Sequence, residues 1–252
     1  MNDSYSVKPT MFIFHSVFPP RYPERKFHPT TKENLNRWIS INADLNLHQV
    51  IHCWGEAVST VEDFSKSTGI NCIKWFLNES DGRFASDLWR LIVLYMYGGF
   101  YADIDQEPLS PITSFLDLEI TDFCAASNMG RHIISTGFLW AKKGCPIVLE
   151  SILEIRRRYE SGGDRGGMHA MGEVITRIGG GQPHMMPIGR HMIGDSDCFF
   201  LHEVADHRFH DSQTFEYLEG FYLLTPFGQR IMNSRYRGYL RFQHDKSSFI
   251  KL

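Results

Sequence analysis

Arg83-Phe-Ala-Ser-Asp-Leu-Trp-Arg-Leu-Ile-Val-Leu-Tyr-Met-Tyr-Gly-Gly-Phe-Tyr-Ala-Asp-Ile-Asp-Gln-Glu-Pro-Leu109 is the stretch on which the reading of this chain turns. Phe84, Leu88, Leu91, Ile92 and Tyr95 recur at the spacing of a buried helix face. Gly98-Gly99 stops that helix, because glycine enters the left-handed region without a Cβ penalty. Phe100-Tyr-Ala102 then runs extended, and Pro108 limits the strand. In an extended segment residues i and i+2 share a face. Asp103 and Asp105 are therefore expected side by side, with Ile104 turned to the core. Two carboxylates so placed repel each other unless a cation or a shared proton intervenes, and their hard oxygen donors suit a divalent cation.

Outward from this stretch the chain alternates. Thr10 to His15 reads as a buried first strand, and a proline-rich loop follows from Ser16 to Pro29. Thr30-Thr-Lys-Glu33 matches a capping box opening a helix whose apolar face is Leu35, Trp38 and Ile39. Leu47 to His52 reads as a second strand, and Ser59-Thr-Val-Glu62 as a capping box for a helix closed by Gly69. Ile70 to Phe76 reads as a third strand. This alternation predicts an α/β fold, a Rossmann-like, mostly parallel sheet flanked by helices, with ligands beyond the carboxyl ends of the strands. His15-Ser16, Trp54-Gly55 and Asp103/Asp105 then fall on one rim.

The second half predicts strands at Phe123 to Ser127 and Ile133 to Ala141. A helix opens at Pro146 with Val148, Ile152, Ile155 and Tyr159 inward, and Arg156-Arg-Arg158 at its end reads as a solvated, dipole-matched terminus. Ser161 to Met171 is a glycine-rich loop or lid, Gly179 to Pro183 is a turn, and beyond Leu201 periodicity is poor. No linker or repeat divides the 252 residues, so one domain is expected over 1–252.

Composition narrows the class. Lys and Arg number 26 against 29 Asp and Glu, a formal charge of −3, so no global basic field draws the chain to nucleic acid. Five cysteines without a CxxC pair argue against a disulfide framework or zinc cluster and for a reducing, cytoplasmic setting. No apolar run approaches the ~18 residues of a membrane span, and the N-terminus lacks a signal-peptide pattern.

Ala85-Ser-Asp87-Leu-Trp-Arg90 adds a carboxylate and a planar donor fork at i, i+3. Such a pair is ordinarily an intrahelical ion pair, and in a cleft it is suited to holding sugar hydroxyls. Joined to Tyr95-x-Tyr-Gly-Gly-x-Tyr-x-Asp-x-Asp-x-x-Pro-Leu109, it closely resembles glycosyltransferase family 32, the group of initiating mannosyltransferases and capsular polysaccharide transferases related to the clostridial glucosylating toxins. Phe12 to His15, Trp38, Trp54, and Ile134 to Ala141 with Lys143 to Pro146 extend the resemblance loosely over about residues 10 to 215.

The resemblance implies an A-type glycosyltransferase fold using Mn²⁺ or Mg²⁺, a nucleotide-sugar donor (UDP-sugar favoured, GDP-mannose the alternative) and a glycan or protein-linked glycan acceptor, usually with retention. The nucleotide-sugar half would be about 10–109 and the acceptor side about 110–252. Carried over by residue, Asp105 would be the direct metal ligand, Asp103 would lie near ribose and metal, and Asp87 and Arg90 would bind donor-sugar hydroxyls. His15, Ser16 and Trp54 would lie along the nucleotide. The family's late segment H-x-x-x-G-S-W is matched best by His207-Arg-Phe-His-Asp-Ser212-Gln213, which departs at the Gly and the Trp. There His207 or His210 would complete the metal shell and Ser212 would touch the diphosphate. The competing readings are a haloacid-dehalogenase-like phosphatase, a glycoside hydrolase, whose carboxylates flank the scissile bond several ångströms apart, and an inactive sugar-binding relative. Gln106-Glu107 after the second Asp disfavours the phosphatase, and adjacent i, i+2 aspartates disfavour the hydrolase.

Overall fold

The computed structural model describes residues 10–14, 26–27, 29–79, 82–104, 106–128, 133–163, 166–180, 187–206, 220–234 and 250–251. In chain order these are β1 (Thr10–Phe14), β2 (Lys26–Phe27), α1 (Pro29–Ile41), β3 (His48–His52), α2 (Trp54–Thr68), α3 (Ile73–Asn78), α4 (Gly82–Tyr97), β4 (Gly99–Ala102) and β5 (Gln106–Pro108). There follow β6 (Phe123–Asn128), β7 (Ile133–Ala141), α5 (Pro146–Glu160), α6 (Gly167–Gly179), β8 (Gly189–Ile193), β9 (Ser196–Asp206), β10 (Gly220–Leu224), β11 (Arg230–Ser234) and β12 (Ile250–Lys251).

α4 is the centre. Residues from Ala85 through Leu94 are all buried, while Phe84 and Tyr95 are only half-buried. The apolar stripe thus understates the helix, which packs against α2 and α5 as well as β1, β4 and β7 and so is covered almost all round. Gly98 caps it at φ 69°, donating its N–H to the Leu94 carbonyl at 2.8 Å. A Cβ there would stand 2.7 Å from the Lys143 nitrogen, so the close approach of the β7–α5 turn also demands glycine.

The sheet runs in the order β3-β1-β4-β7-β6-β9-β10-β11-β5, with β8 on β9; β2 and β12 make a separate pair. The expected parallel ladder is present at β3-β1-β4 and again at β6-β9. Its extent is smaller than expected, because β4-β7, β6-β7, β8-β9, β9-β10, β10-β11 and β11-β5 are antiparallel. The fold is accordingly a mixed α/β sheet flanked by helices. β5 follows β4 after a turn of a few residues yet pairs with β11, so the later strands must curl back toward the β4 end.

Period-two alternation splits the core between the two faces. Tyr101, Leu139, Ala141 and Phe200 join the α2–α6 side, while Phe100, Ala102, Phe138, Trp140 and Leu201 join Leu35 and Trp38 of α1. Trp38 stacks on Phe138 at 5.9 Å, and its indole N–H donates to the Gln106 carbonyl at 3.1 Å. That bond fixes β5 beneath α1.

Local readings differ at five places. Residues 70–76 are not a strand: α3 begins at Ile73 and lays Phe76 against Trp54, rings 4.7 Å apart. α2 is capped at Cys53, not Ser59, because Glu56 accepts the Cys53 N–H at 2.6 Å and makes the reciprocal cap six residues early. Ser59 and Thr60 instead donate back to the Gly55 and Glu56 carbonyls inside the helix. α1 begins at Pro29, a residue suited to the first helical position, and Ile39 points outward, 38% exposed. The glycine-rich segment ends at Gly166, where α6 starts, so Gly167 to Met171 is helix and not lid.

The fifth difference is the α5 terminus. The Arg156 side chain is partly solvent-exposed, as expected of a solvated helix end, and pairs with Glu160 at 3.0 Å. Arg157 and Arg158 instead clasp buried Glu154 at 2.6 and 2.9 Å and reach Glu173 of α6. The arginine run is therefore a bolt between two helices. All five cysteines are free thiols. No described helix is long and apolar enough to cross a membrane.

Candidate functional site

The parallel register levels the carboxyl ends of three strands. Phe14 is opposite His52, and Phe12 is opposite Tyr101, so the ends of β1 and β3 lie level with the start of the Asp103 turn. Trp54 opens α2 directly after β3 and Asp103 follows β4, which places both on the expected rim. His15 and Ser16, which follow β1, lie outside the described residues, as do Asp105, His207, His210 and Ser212.

β4 ends at Ala102, one residue before Asp103. Asp103 donates its N–H to the Gly137 carbonyl at 2.7 Å, and Gln106 donates its own to the Asp103 carbonyl at 2.9 Å. That second bond closes a turn between Asp103 and Gln106. Ile104 is half-buried and packs against the α1-side core, as expected.

A bulge in β7 builds the floor of the site. Between the pairs Ala126–Ser135 and Cys124–Trp140, β6 advances two residues and β7 advances five. The surplus carries Thr136 and Gly137 out of the β6 ladder toward α4 and the Asp103 turn. Bulges commonly re-aim side chains beside functional sites.

Onto this floor α4 lowers Asp87 and Arg90, both buried. Arg90 donates through Nη1 to the Thr136 carbonyl at 2.6 Å and to its hydroxyl at 3.3 Å. Its Nη2 donates to Ser86 Oγ at 2.9 Å, and its Nε to the Ser86 carbonyl at 3.3 Å. The same fork pairs with Asp87 at 3.3 Å and Asp103 at 3.1 Å, and lies 4.4 Å over the Tyr101 ring. Asp87 accepts the Thr136 hydroxyl at Oδ1, 3.0 Å, and the Gly167 N–H at Oδ2, 2.9 Å. That second bond sets a carboxylate at the N-terminus of α6, where the helix dipole favours it. A Cβ on Gly167 would come within 2.9 Å of Asp87 Cβ, so only glycine admits this approach.

Asp87 and Arg90, expected to face sugar hydroxyls, are thus seated in an internal network joining α4, β7 and α6. Asp103 is the member that reaches solvent, with 37% of its side chain exposed. Its two oxygens are unequal. Oδ1 accepts the Tyr101 hydroxyl at 2.5 Å and faces Arg90. Oδ2 has no such partner among the described residues and points toward Gly137, where a Cβ would stand 3.2 Å from it.

Electrostatics follow this layout. Burial raises the Asp103 carboxyl above its ordinary value, and the Arg90 charge and Tyr101 hydrogen bond offset only part of that rise. Burial works against the Arg90 charge, but Asp103, Tyr101 and Asp87 outweigh it and hold the guanidinium above its ordinary value. Tyr101 is pushed well up by burial, so it stays a neutral donor.

Asp103 Oδ2, without a hydrogen-bond partner among the described residues, is one carboxylate oxygen of the kind that Mn²⁺ or Mg²⁺ takes. Among the described residues no three His, Cys, Asp or Glu side chains cluster to hold a metal. Sequence reasoning gave no role to Tyr101, Thr136, Gly167 or Gln106. The signal for Thr136 was the Ser-Thr-Gly run inside an otherwise apolar strand, and for Gly167 the Gly166-Gly167 pair.

Residues 29–122 match the glycosyltransferase sugar-binding region containing the DXD motif. Among solved structures the chain is similar to PaToxG Glycosyltransferase, at 14% identity and a TM-score of 0.48, over 68% of this chain and 69% of that one. It is also similar to a glycosyltransferase involved in the glycosylation of the major capsid of PBCV-1, at 20% identity and a TM-score of 0.31, over 60% and 67% of the two chains. No curated protein sequence matches it.

Proposed function

We propose, on the premise that this chain belongs through residues 29–122 to the DXD-containing glycosyltransferases, that it moves a hexose from a nucleotide sugar to a hydroxyl of a glycan or protein-linked glycan. A UDP-sugar is favoured over GDP-mannose, and retention over inversion. The anomeric carbon–oxygen bond to the β-phosphate breaks, a bond to the acceptor oxygen forms, and the acceptor proton leaves to the diphosphate or solvent. Residues of about 10–109 bind the donor, and those of about 110–252 present the acceptor. The five free thiols suit a reducing compartment, the cytoplasm.

The observation that carries this reading is the split of Asp103 at the carboxyl end of β4: one oxygen is anchored by Tyr101 and Arg90, and the other has no hydrogen-bond partner among the described residues. In this assignment Asp103 and Asp105, with His207 or His210, hold Mn²⁺ or Mg²⁺, which when bound offsets charge on the departing diphosphate. Trp54, His15 and Ser16 lie along the nucleotide, and Ser212 touches the diphosphate. Asp87 orients the sugar. Arg90, whose donors are directed at Ser86, Thr136 and Asp103, acts here as a positioning residue for the carboxylates.

The test is turnover of UDP-glucose, UDP-galactose, UDP-N-acetylglucosamine and GDP-mannose with Mn²⁺ or Mg²⁺ and with EDTA. Release of nucleoside diphosphate should depend on the metal and fall at least ~100-fold in Asp105→Ala. Full activity in EDTA sinks the metal assignment, and sugar binding without any release turns the reading to an inactive sugar-binding relative.

A further inference from the structure

Gln106 is buried, 4% exposed, and stands at the far end of the Asp103 turn. Its main chain is held from three sides. Its N–H donates to the Asp103 carbonyl, its carbonyl accepts from Trp38, and it pairs with Ser234 in the β5–β11 ladder. Its side chain is the opposite case. The carbonyl oxygen Oε1 is buried and has no hydrogen-bond partner among the described residues. The amide end lies across Gly137: a Cβ on that glycine would meet Gln106 Nε2 at 2.9 Å, Asp103 Oδ2 at 3.2 Å and Ser135 Oγ at 3.7 Å. The amide, with its unanswered oxygen, therefore lies near Asp103 Oδ2 across a residue that has no side chain to intervene.

An unanswered buried carbonyl is costly, and nothing in the packing requires it. An apolar side chain of the same length would fill the space without that cost. An amide presents a donor and an acceptor together. Its complement is a hydroxyl group, which gives one hydrogen bond and takes another. A phosphate oxygen complements only the amide N–H, and a cation only the carbonyl oxygen.

We propose that Gln106, beside the Asp103 carboxylate that would hold the cation, reads one hydroxyl of the transferred sugar and so sets which hexose this chain accepts. The assignment rests on the donor-site reading above and adds to it a specificity-determining residue from β5. Sites built to hydrogen-bond a hydroxyl discriminate strongly against sugars that lack or misplace it, because the site's polar groups are then left unpaired.

Gln106→Met keeps length and volume and removes both hydrogen-bonding atoms. The four nucleotide sugars named above serve as probes, with kcat and KM measured for each in the wild type and in Gln106→Met, alongside thermal melting without substrate. Loss of the reader should raise KM for the best hexose donor roughly 3- to 10-fold, narrow the ratio of kcat/KM between that donor and its epimers, and leave the melting temperature unchanged or higher. A structural role predicts the reverse: a lower melting temperature with the sugar preferences intact. That result overturns the proposal, as does a higher Mn²⁺ requirement with unchanged preferences, which assigns the amide to the cation. If the wild type turns over none of the sugars, the donor-site reading fails. If the wild type turns over and Gln106→Met keeps both KM and preferences, only the Gln106 assignment fails.

Discussion

Replacing Arg90 with methionine separates the positioning of the carboxylates from their chemistry. The guanidinium donates to Ser86 and Thr136 and pairs with both Asp87 and Asp103. Methionine refills much of the volume and returns none of these partners. The Thr136 carbonyl and Ser86 hydroxyl lose a donor, and two carboxylates lose their shared cation. Breaking a buried pair by removing one partner costs about 3–5 kcal/mol. Asp103 keeps 37% of its side chain in solvent and the Tyr101 hydroxyl, and Asp87 keeps Thr136 and Gly167. The lower part of that range applies, about 3–4 kcal/mol. For a chain of this size that corresponds to a fall in melting temperature of about 6–16 °C. Calorimetry near neutral pH measures it, with Arg90→Lys expected between the two because it retains the charge and loses the fork. In an Asp103→Asn background the loss should shrink, since one of the stranded charges is already gone. The acid limb of turnover in Arg90→Met should also move to higher pH, because Arg90 pulls the Asp103 carboxyl down against burial and its removal lets that carboxyl rise. A melting temperature within about 2 °C of wild type, with no coupling to Asp103, refutes the network as the organiser of the site.

Two further tests bear on the same framework. Thr136→Val preserves shape and deletes the hydroxyl that donates to Asp87; unfolding in urea should show a loss of about 1–3 kcal/mol, with Thr136→Ser near wild type. For Glu154, burial raises the carboxyl, but hydrogen bonds from Arg157 and Arg158 outweigh it and hold the group below its ordinary value. Its contribution is thus fully present above the unfolded value of about 4.3 and is lost as pH falls through the lower folded value. Melting of wild type and Glu154→Gln should differ at neutral pH and converge below about pH 4.

The portions of the fold legible in the sequence are those determined by near neighbours. α4 announces itself through a run of apolar residues and a glycine pair, and its cap at Gly98 is where the glycines place it. Pro146 opens α5 for an equally local reason. Residues 70–76 misled because Ile70, Ile73, Trp75 and Phe76 favour strands locally, while docking of Phe76 on Trp54 favours a helical turn. The strands after Leu201 were missed because β10 and β11 carry little alternation, and their pairing with β9 and β5 comes from distant chain. The site divides along the same line. Asp87, Arg90 and Asp103 stand close together in sequence, whereas Thr136 reaches Arg90 across 46 residues and Gly167 reaches Asp87 across 80. No periodicity encodes a contact of that range.

One spacing in the opening stretch has a geometric reason. From Gly98, Arg90 lies eight residues back along a helix, about 12 Å at 1.5 Å per residue. Asp103 lies five residues forward along a strand and its turn, about 16 Å at 3.3 Å per residue. Because α4 folds back over β4, those two lengths bring the guanidinium alongside the aspartate, with the Tyr101 ring 4.4 Å beneath it. The anchor of Asp103 is therefore contained in the helix–glycine–strand unit itself, and the β7 bulge adds the floor on which it rests. The same closeness explains why Asp103 is asymmetric. A cation delivered by α4 engages the near oxygen, Oδ1, and leaves Oδ2 to whatever comes to the rim. A free aspartate at this turn would offer a cation either oxygen; this one offers a single, fixed oxygen, with Gln106 beside it, and so distinguishes ligands by direction as well as by charge.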